Sequence, residues 1–303
     1  MLPRTFQYFA PTAVEDVTGL LKEHEGDVKI LAGGMSLIPL MKLRLASPGY
    51  IVDINRVEGL EYIEESEDRK ALLIGALTRH HALESSALTK KRAPLLSEVA
   101  GSIGDPQVRN LGTIGGALAH SDPSGDWGAA ILALRGSVSV LGSSGERSIS
   151  IDDFLVDTFT TALREGELIT RVSVPIPPEE RSGGAYLKLE RKAGDFATAG
   201  VAAQLVLEER KDGDYCTYAG IGLTALGPKN LRASKAEARL LGRRLTKEAI
   251  SEAASAAAAE CAPTDDPLRG SAKYKREMAG LFTRRALELA ATRARTHRRR
   301  GAR

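Results

Sequence analysis

Paired glycines beside apolar runs place the strongest constraint on how this chain can fold. The apolar residues 28–31 precede Ala32-Gly33-Gly34-Met35-Ser36, and a second, mostly apolar run, 37–43, follows. This order predicts a buried strand end, a Gly-Gly bend and a short helix. The main-chain N–H groups of such a bend, the helix dipole and the Ser36 hydroxyl can together bind a phosphate group.

A second glycine-rich segment spans residues 110–126 and contains four glycines, one proline and two aspartates. It predicts a tight bend, a short buried segment, a second turn and a helix whose N-terminus is capped by Asp126. Consecutive N–H groups in such a bend can converge on an anion. One such segment is compatible with a plain turn between strands, whereas two in one domain predict a diphosphate that is held from both sides.

Charge and cysteine content exclude several classes of function. The chain carries 42 basic and 39 acidic residues, but six arginines and no acid lie in segment 293–303. Without that segment the balance is 36 basic to 39 acidic residues, so the fold lacks the basic surface that nucleic-acid binders need. The two cysteines, Cys216 and Cys261, cannot supply the four ligands of an iron–sulfur cluster, and they do not suggest a disulfide scaffold.

The N-terminus and the hydropathy predict a cytoplasmic protein. Gln7 and Pro11 interrupt any apolar core near the N-terminus, so we expect no secretory signal. No stretch approaches the length of about eighteen apolar residues that a membrane span needs, so no membrane span is expected. His80 and His81 are neighbours, but no Cys, Asp or third His lies at ligand spacing nearby and adjacent residues face different ways on a helix, so we expect no metal site.

The apolar patterns and turn signals predict an α+β protein. A helix at 13–24 and a strand at 50–54, together with the strand before Ala32, predict a β-α-β-α-β lobe over about residues 1–55. Strands and short helices predict a larger lobe over about 56–178, and these two lobes form the first domain, 1–178. Proline, glycine and charged residues between 175 and 184 mark its boundary.

The second domain, 183–292, is predicted to contain a three-stranded antiparallel sheet and a helical bundle. The strands are expected at Tyr186–Arg191, Ala199–Leu207 and Tyr215–Ala225, and the helices within Ser234–Leu241, Lys247–Glu260 and Ser271–Arg293. The basic segment 293–303 is predicted to be a disordered tail, because it combines like charges with few apolar residues.

Motifs for other kinds of chemistry are absent from the sequence. It contains no Gly-x-Ser-x-Gly and no Walker lysine motif, and the N-terminal lobe has no Gly-x-Gly-x-x-Gly. These absences disfavour a serine hydrolase, a P-loop nucleotidase and a Rossmann cofactor site. What remains is a diphosphate cradle with little acid–base equipment, which is typical of a protein whose chemistry belongs to its cofactor.

An ordered set of motifs resembles one family. The motifs are Ala32–Ser36, Gln107–Asn110, Thr113–Gly116, Tyr186–Lys188 and Gly270–Tyr274. Over about residues 1–290 the chain resembles the FAD-binding (medium) subunits of xanthine oxidase-family molybdenum hydroxylases, and it is most similar to the aerobic carbon monoxide dehydrogenase type. The resemblance implies a two-lobed FAD-binding domain of the PCMH/vanillyl-alcohol-oxidase type and a C-terminal domain of the carbon monoxide dehydrogenase flavoprotein type. The chain departs from the family pattern at Met35, where a polar residue is usual, and at Leu111.

The resemblance implies FAD as the cofactor and assigns residues to it. The two glycine loops are expected to wrap the pyrophosphate, and Ile103 and Ile169 to pack on flavin or adenine. Asp126 is expected to accept hydrogen bonds from the ligand, and Lys188 to lie near the isoalloxazine ring, where a cation stabilises reduced anionic flavin. The full expected set is Leu31, Ala32, Gly33, Gly34, Met35, Ser36, Leu37, Ile38, Ile103, Thr113, Ile114, Gly115, Gly116, Ala117, Asp126, Ile169 and Lys188.

At four of these positions the residues are also compatible with a purely structural role that needs no ligand. Ile103 and Ile169 are also consistent with ordinary core positions, Asp126 with a helix cap only, and Lys188 with an exposed position on a strand.

The resemblance also implies partner subunits. A large subunit with a molybdenum pterin and a small subunit with two [2Fe–2S] clusters are expected, in a dimer of heterotrimers. This chain would then pass electrons from the clusters to an external acceptor. One alternative is a stand-alone FAD reductase similar to the enolpyruvyl reductase of cell-wall synthesis. The other alternative is a non-catalytic assembly or scaffold subunit that keeps the fold.

Overall fold

The computed structural model describes residues 2–296, which begin with a small α/β lobe. Its elements are β1 (Gln7–Phe9), α1 (Val14–Glu23), β2 (Val28–Leu31), α2 (Leu37–Lys42) and β3 (Tyr50–Asp53). The strands form a parallel sheet in the order β1-β3-β2. Val17 and Leu21 lie on one face of α1, four residues apart, and are buried in a core that includes Val52. The predicted β-α-β-α-β order is confirmed.

The larger lobe is built on an antiparallel sheet. Its strands are β4 (Ile63–Glu65), β5 (Ala71–Gly75), β6 (Ser137–Gly142), β7 (Gly145–Ser150), β8 (Leu155–Asp157), β9 (Thr160–Thr161) and β10 (Leu168–Pro175). Five of them form one sheet in the order β4-β5-β10-β6-β7, and β8 pairs with β9. Strands β4 and β5 form a hairpin, in which a charged turn separates two strands that pair antiparallel.

Short helices accompany this sheet, and one of them lies at the centre of the molecule. The helices are α3 (His80–Ser85), α4 (Ala87–Arg92), α5 (Pro94–Gly101), α6 (Pro106–Leu111), α7 (Ile114–His120), α8 (Asp126–Leu134) and α9 (Ile151–Phe154). Every residue of α8 is buried. Helix α8 therefore belongs to the core along its whole length, and its first residue is held in a fixed place.

The second glycine segment folds differently from the prediction. Gly115 and Gly116 lie in the first turn of α7 and not in a tight bend. Thr113 caps this helix, and its Oγ1 accepts a hydrogen bond from the Gly116 N–H at 3.1 Å. Asp126 is the first residue of α8, whose N-cap is Gly125. The expectation that Asp126 caps α8 is therefore wrong, because its carboxylate makes other contacts.

The C-terminal part contains the expected antiparallel sheet. Its elements are β11 (Ser182–Leu189), β12 (Ala199–Arg210), β13 (Gly213–Thr224), β14 (Leu231–Arg232), α10 (Ser234–Ala238), α11 (Lys247–Glu260) and α12 (Ala272–Thr296). The strands pair antiparallel in chain order, so the three long strands are confirmed, and the two-residue β14 extends the edge. Helix α12 packs on β11 and β12, and α8 packs on β12 and β13. A Cβ at Gly222 would overlap the carbonyl oxygen of Ala129, so the main chains of β13 and α8 touch directly.

Helix α12 runs to Thr296, which corrects the start of the predicted disordered tail. Arg293 pairs with Glu98 at 2.5 Å, and Arg295 pairs with Asp214 at 2.7 Å. Residues 293–296 are helical, and acidic partners on neighbouring elements neutralise these two arginines. The rest of the predicted tail, 297–303, lies outside the described residues. Neither α12 nor any other helix within residues 2–296 is long and apolar enough to cross a membrane.

Candidate functional site

The first loop, residues 32–37, connects β2 to α2 and has unused main-chain donors. Gly34 has φ of +71°, a backbone conformation that side chains disfavour, and it turns the chain sharply after the strand. Within residues 2–296, none of the five N–H groups from Gly33 to Leu37 donates a hydrogen bond, and the Ser36 side chain makes no capping bond. The residues of this loop are buried or half-buried, and their main-chain N–H groups need an acceptor, so the loop can bind an anionic group.

The second loop, residues 111–117, leads into α7 and uses its N–H groups inside the protein. Ile114 N–H donates to the Thr78 carbonyl at 3.1 Å, and Gly115 N–H donates to the Ala76 carbonyl at 2.9 Å. Gly116 N–H donates to the side chain of Thr113, as described above. The predicted convergence of consecutive free N–H groups on an anion is therefore wrong for this loop, since these donors are already bonded.

The two loops lie against each other where the lobes meet. A Cβ at Gly33 would overlap the Leu111 carbonyl oxygen and would lie 2.7 Å from Gly112 Cα. A Cβ at Gly116 would lie 3.7 Å from the Cβ of Ala32. The fold thus brings the two glycine pairs together. The unused donors of the first loop lie beside the half-buried first turn of α7.

A second group of predicted residues meets at the N-terminus of α8. The Oδ1 atom of Asp126 accepts a short hydrogen bond from the Tyr186 hydroxyl, and Oδ2 lies 3.2 Å from Lys188 Nζ. Tyr186 and Lys188 are two residues apart on β11 and therefore point to the same face of the sheet. Lys188 also donates to the Ser102 carbonyl at 3.0 Å and lies 3.6 Å from Glu190 Oε2.

The side chains of this group are buried, and burial has the largest effect on the pKa values of Asp126 and Tyr186. The side chains of Lys188 and Asp126 are only 6% and 5% exposed, so the reading of Lys188 as an exposed strand residue is wrong. Burial raises the pKa of the Asp126 carboxyl, against the effect of Lys188 and of the Tyr186 hydrogen bond. Burial and the neighbouring Asp126 raise the pKa of Tyr186 well above its ordinary value, so Tyr186 remains a hydrogen-bond donor.

The two predicted isoleucines lie in different surroundings. Ile103 is half-buried and follows Ser102, whose carbonyl binds Lys188, so it lies beside the Asp126 group. Ile169 is 4% exposed and belongs to the core of the larger lobe, on β10 opposite Val140. Leu31 precedes the first loop, Leu37 is its last residue, and Ile38 follows it and is 38% exposed.

Sequence reasoning missed the polar residues that join the two loops. Asn55 Nδ2 donates to the Ala32 carbonyl at 2.8 Å, and Arg79 Nη2 donates to Asn55 Oδ1 at 2.7 Å. Arg79 Nη1 donates to the Leu111 carbonyl at 2.6 Å. The sequence did contain a signal for Asn55. It follows β3, which pairs in parallel with β2, so the ends of both strands lie at the same edge of the sheet and Asn55 lies close to the first loop.

His80 is hydrogen-bonded to the second loop and is neutral. Its Nδ1 accepts a hydrogen bond from Trp127 Nε1 at 3.1 Å, and its main-chain N–H donates to the Gly112 carbonyl at 3.0 Å. Burial, with Arg79 and Arg109 nearby, lowers the pKa of His80 to about 4. The described residues contain no group of three His, Cys, Asp or Glu that could hold a metal ion.

Comparison with known proteins defines the class. Residues 4–177 match the family model for the FAD binding domain in molybdopterin dehydrogenase. Residues 184–290 match the family model for the CO dehydrogenase flavoprotein C-terminal domain. The fold is thus that of an FAD-binding oxidoreductase subunit.

Relatives and a solved structure define the family. The chain is 43% identical to the carbon monoxide dehydrogenase medium chain of Hydrogenophaga pseudoflava, across 96% of this chain and 98% of that one. It is 36% identical to the glyceraldehyde dehydrogenase medium chain of Sulfolobus acidocaldarius, across 95% of this chain and 99% of that one. A solved structure of carbon monoxide dehydrogenase from H. pseudoflava matches with a TM-score of 0.92 at 44% identity, covering 97% of this chain and 99% of that chain. The chain belongs to the FAD-binding medium subunits of the xanthine oxidase family of molybdenum hydroxylases, which confirms the resemblance drawn from the motifs.

Proposed function

We propose that the first loop binds the diphosphate of FAD through the main-chain N–H groups of Gly33 to Leu37. The observation that carries this proposal is that these five consecutive donors have no acceptor within residues 2–296, while Gly34 holds the bend that presents them. The Ser36 hydroxyl is a further donor at the same place. Bound FAD supplies one- and two-electron chemistry, and the chain supplies its binding, orientation and electrostatics.

The second loop acts as the wall on which the cofactor rests. Gly116 and Ala117 present a small, half-buried surface next to Ala32, which lets a ligand approach the main chain closely. Thr113, Ile114 and Gly115 hold this wall in place through buried hydrogen bonds. In this proposal the diphosphate is bonded from one side and packed from the other.

The Asp126 group serves the flavin end of the cofactor. Lys188 is held by Asp126 and by the Ser102 carbonyl, so its positive charge keeps one position. A fixed cation in a buried site stabilises the negative charge of reduced flavin strongly, because the local dielectric is low. Ile103 supplies apolar surface beside it. Ile169 is buried in the core of the larger lobe, and we propose that it supports the site from there.

This subunit passes electrons from the clusters of a small subunit to an external acceptor, while the substrate is chosen by a large subunit. The named substrates of the relatives differ, from carbon monoxide to glyceraldehyde, although both medium chains align with nearly the whole of this one. Similarity in this subunit therefore does not select a substrate. We further propose a dimer of heterotrimers in the cytoplasm, a compartment that is consistent with two free, buried cysteines.

Flavin content and reconstitution test this function. The purified full chain is expected to be yellow and to release FAD into the supernatant on acid precipitation. Mixed with its matching small and large subunits, it should show substrate-driven bleaching of the flavin. A protein that stays colourless after incubation with FAD would favour the scaffold alternative. Turnover of an organic substrate by the isolated chain, at roughly 1–1000 per second, would favour the stand-alone reductase.

A further inference from the structure

A chain of side-chain hydrogen bonds connects the two loops across the boundary between the lobes. Asn55 follows β3 in the small lobe and donates to the Ala32 carbonyl of the first loop. Arg79 precedes α3 in the larger lobe and donates both to Asn55 Oδ1 and to the Leu111 carbonyl of the second loop. One guanidinium therefore bonds a residue of each lobe at the same time.

Both ends of this connection are fixed to their own lobe. The Oδ1 atom of Asp53 accepts hydrogen bonds from the Asn55 N–H at 2.9 Å and from Asn55 Nδ2 at 2.6 Å. Around Arg79, the neighbouring main chain bonds to the second loop through Thr78 and His80. A shift of one lobe against the other would therefore break the Arg79–Asn55 bond, because each partner is hydrogen-bonded to its own lobe.

We infer that Arg79 and Asn55 form an interlobe latch that sets the spacing of the two loops and so limits how fast FAD leaves. The inference rests on the proposed function, in which the diphosphate lies between these loops. The two residues act through the loops as positioning residues. The latch holds the loops in the bound spacing before the ligand arrives, which lowers the ordering cost of binding.

The planar guanidinium is essential to this role. Its nitrogens donate in two fixed directions, and here one donor reaches Asn55 while another reaches Leu111. A lysine at position 79 keeps the charge but offers a single ammonium group, so it cannot span both acceptors in this geometry. Arg79→Lys should therefore behave like Arg79→Leu, whereas a residue that acted only by its charge would tolerate lysine.

The test is a double-mutant cycle on the full chain, with FAD and ADP as ligands. Stopped-flow displacement gives the FAD dissociation rate for wild type, Arg79→Leu, Arg79→Lys, Asn55→Ala and the double variant. Each single change is expected to raise this rate about tenfold, as loss of a charge-assisted hydrogen bond predicts. The double variant should show about the same tenfold rise, because both changes break one connection. ADP affinity should fall by a similar factor.

Arg56→Ala is the matched control. Arg56 is an exposed arginine next to Asn55, and it makes no hydrogen bond or ion pair within the described residues, so FAD release should be unchanged. If Asn55→Ala does not fold, the comparison of the two Arg79 variants with Arg56→Ala decides the question.

Three outcomes would overturn the latch. These are release rates equal to wild type in the Arg79 variants, full retention by Arg79→Lys, or effects of Arg79→Leu and Asn55→Ala that multiply. A wild-type chain that binds no FAD would instead contradict the proposed function and would leave no cofactor site for a latch to serve.

Discussion

The first and second loops carry the same Gly-Gly dipeptide and lie side by side, but they treat their main-chain N–H groups differently. The first loop leaves the donors from Gly33 to Leu37 without an acceptor inside the described chain, whereas in the second loop Ile114, Gly115 and Gly116 all donate within the protein. Gly115 of the second loop is therefore needed for packing against Ala76, whereas we propose that the first loop uses its main-chain donors to bind a ligand. The Gly-Gly motif indicates that something packs closely against the main chain. Whether this is another part of the protein or a ligand depends on whether the neighbouring N–H groups already have acceptors.

The largest expected effect concerns the second loop. In Gly115→Val the new Cβ would lie 2.7 Å from both the Cβ and the carbonyl oxygen of Ala76, and the main chain there cannot easily move away. Overpacking of this kind should lower the free energy of unfolding by about 3 kcal/mol. Urea denaturation of the apoprotein measures this. Gly19→Val is the control, because no atom lies within 4 Å of a Cβ at Gly19 in α1. Equal stability of both variants would contradict the packing role.

In the first loop, Gly34→Val should act mainly on the ligand. Valine disfavours the φ of +71° at this position, so the bend should rearrange and the N–H groups should no longer be held in place for the ligand. We expect FAD affinity to fall about 100-fold, which corresponds to about 2.7 kcal/mol. The free energy of unfolding of the apoprotein should fall by less than in Gly115→Val. Titration of apoprotein with FAD, followed by flavin fluorescence, gives the affinity, and unchanged affinity would refute the cradle.

Lowering the pH should reduce the free energy of unfolding through His80, which contacts the second loop. The pKa of His80 lies near 4 in the fold and near 6.5 in the unfolded chain, so protonation favours unfolding. This stabilising contribution is complete above pH 6.5 and decreases as the pH falls towards 4. At pH 5 it should be smaller by about 2 kcal/mol than at high pH. In His80→Asn, which can still accept the Trp127 hydrogen bond, this part of the pH dependence should be missing. Parallel pH profiles of the two proteins would exclude His80 as its source.

The smallest effect is expected at Met35, inside the first loop. The resemblance drawn from the motifs implies a polar residue at position 35, so in the proposed site Met35 would leave the backbone cradle intact but lack one side-chain contact. Met35→Gln should therefore tighten FAD binding by about threefold, the lower end of what one neutral hydrogen bond contributes. The same titration measures this change, and weaker binding of the glutamine variant would show that methionine packs on the ligand.

Much of the fold was predictable because its signals are local. The boundaries of α11 agree with the prediction at Lys247–Glu260, and those of β2 agree at Val28–Leu31. Each element is predicted from the apolar pattern of its own residues alone. Likewise the first loop follows from strand, glycine pair and helix in sequence. Such elements do not depend on distant partners.

The parts that were not predictable depend on contacts between distant residues. Whether the second glycine pair forms a bend or a helix turn is decided partly by the Ala76 and Thr78 carbonyls, which belong to another segment. The cap expected of Asp126 fails for a similar reason, because Tyr186 and Lys188 reach it from β11. The alternation of side chains along β11 predicts that Tyr186 and Lys188 lie on one face of the sheet. It does not predict that Asp126 of α8 is their partner, because that contact depends on how the helix packs on the sheet.

Amide hydrogen exchange at both loops, with and without FAD, tests whether the first loop bonds the diphosphate. The amides of Gly33 to Leu37 are expected to exchange fast in the apoprotein and to become protected when FAD binds. Those of Ile114 to Gly116 should be protected in both states, because their acceptors belong to the protein. Protection gained by the second loop on FAD binding, with the first loop unchanged, would contradict the assignment of the diphosphate to the first loop.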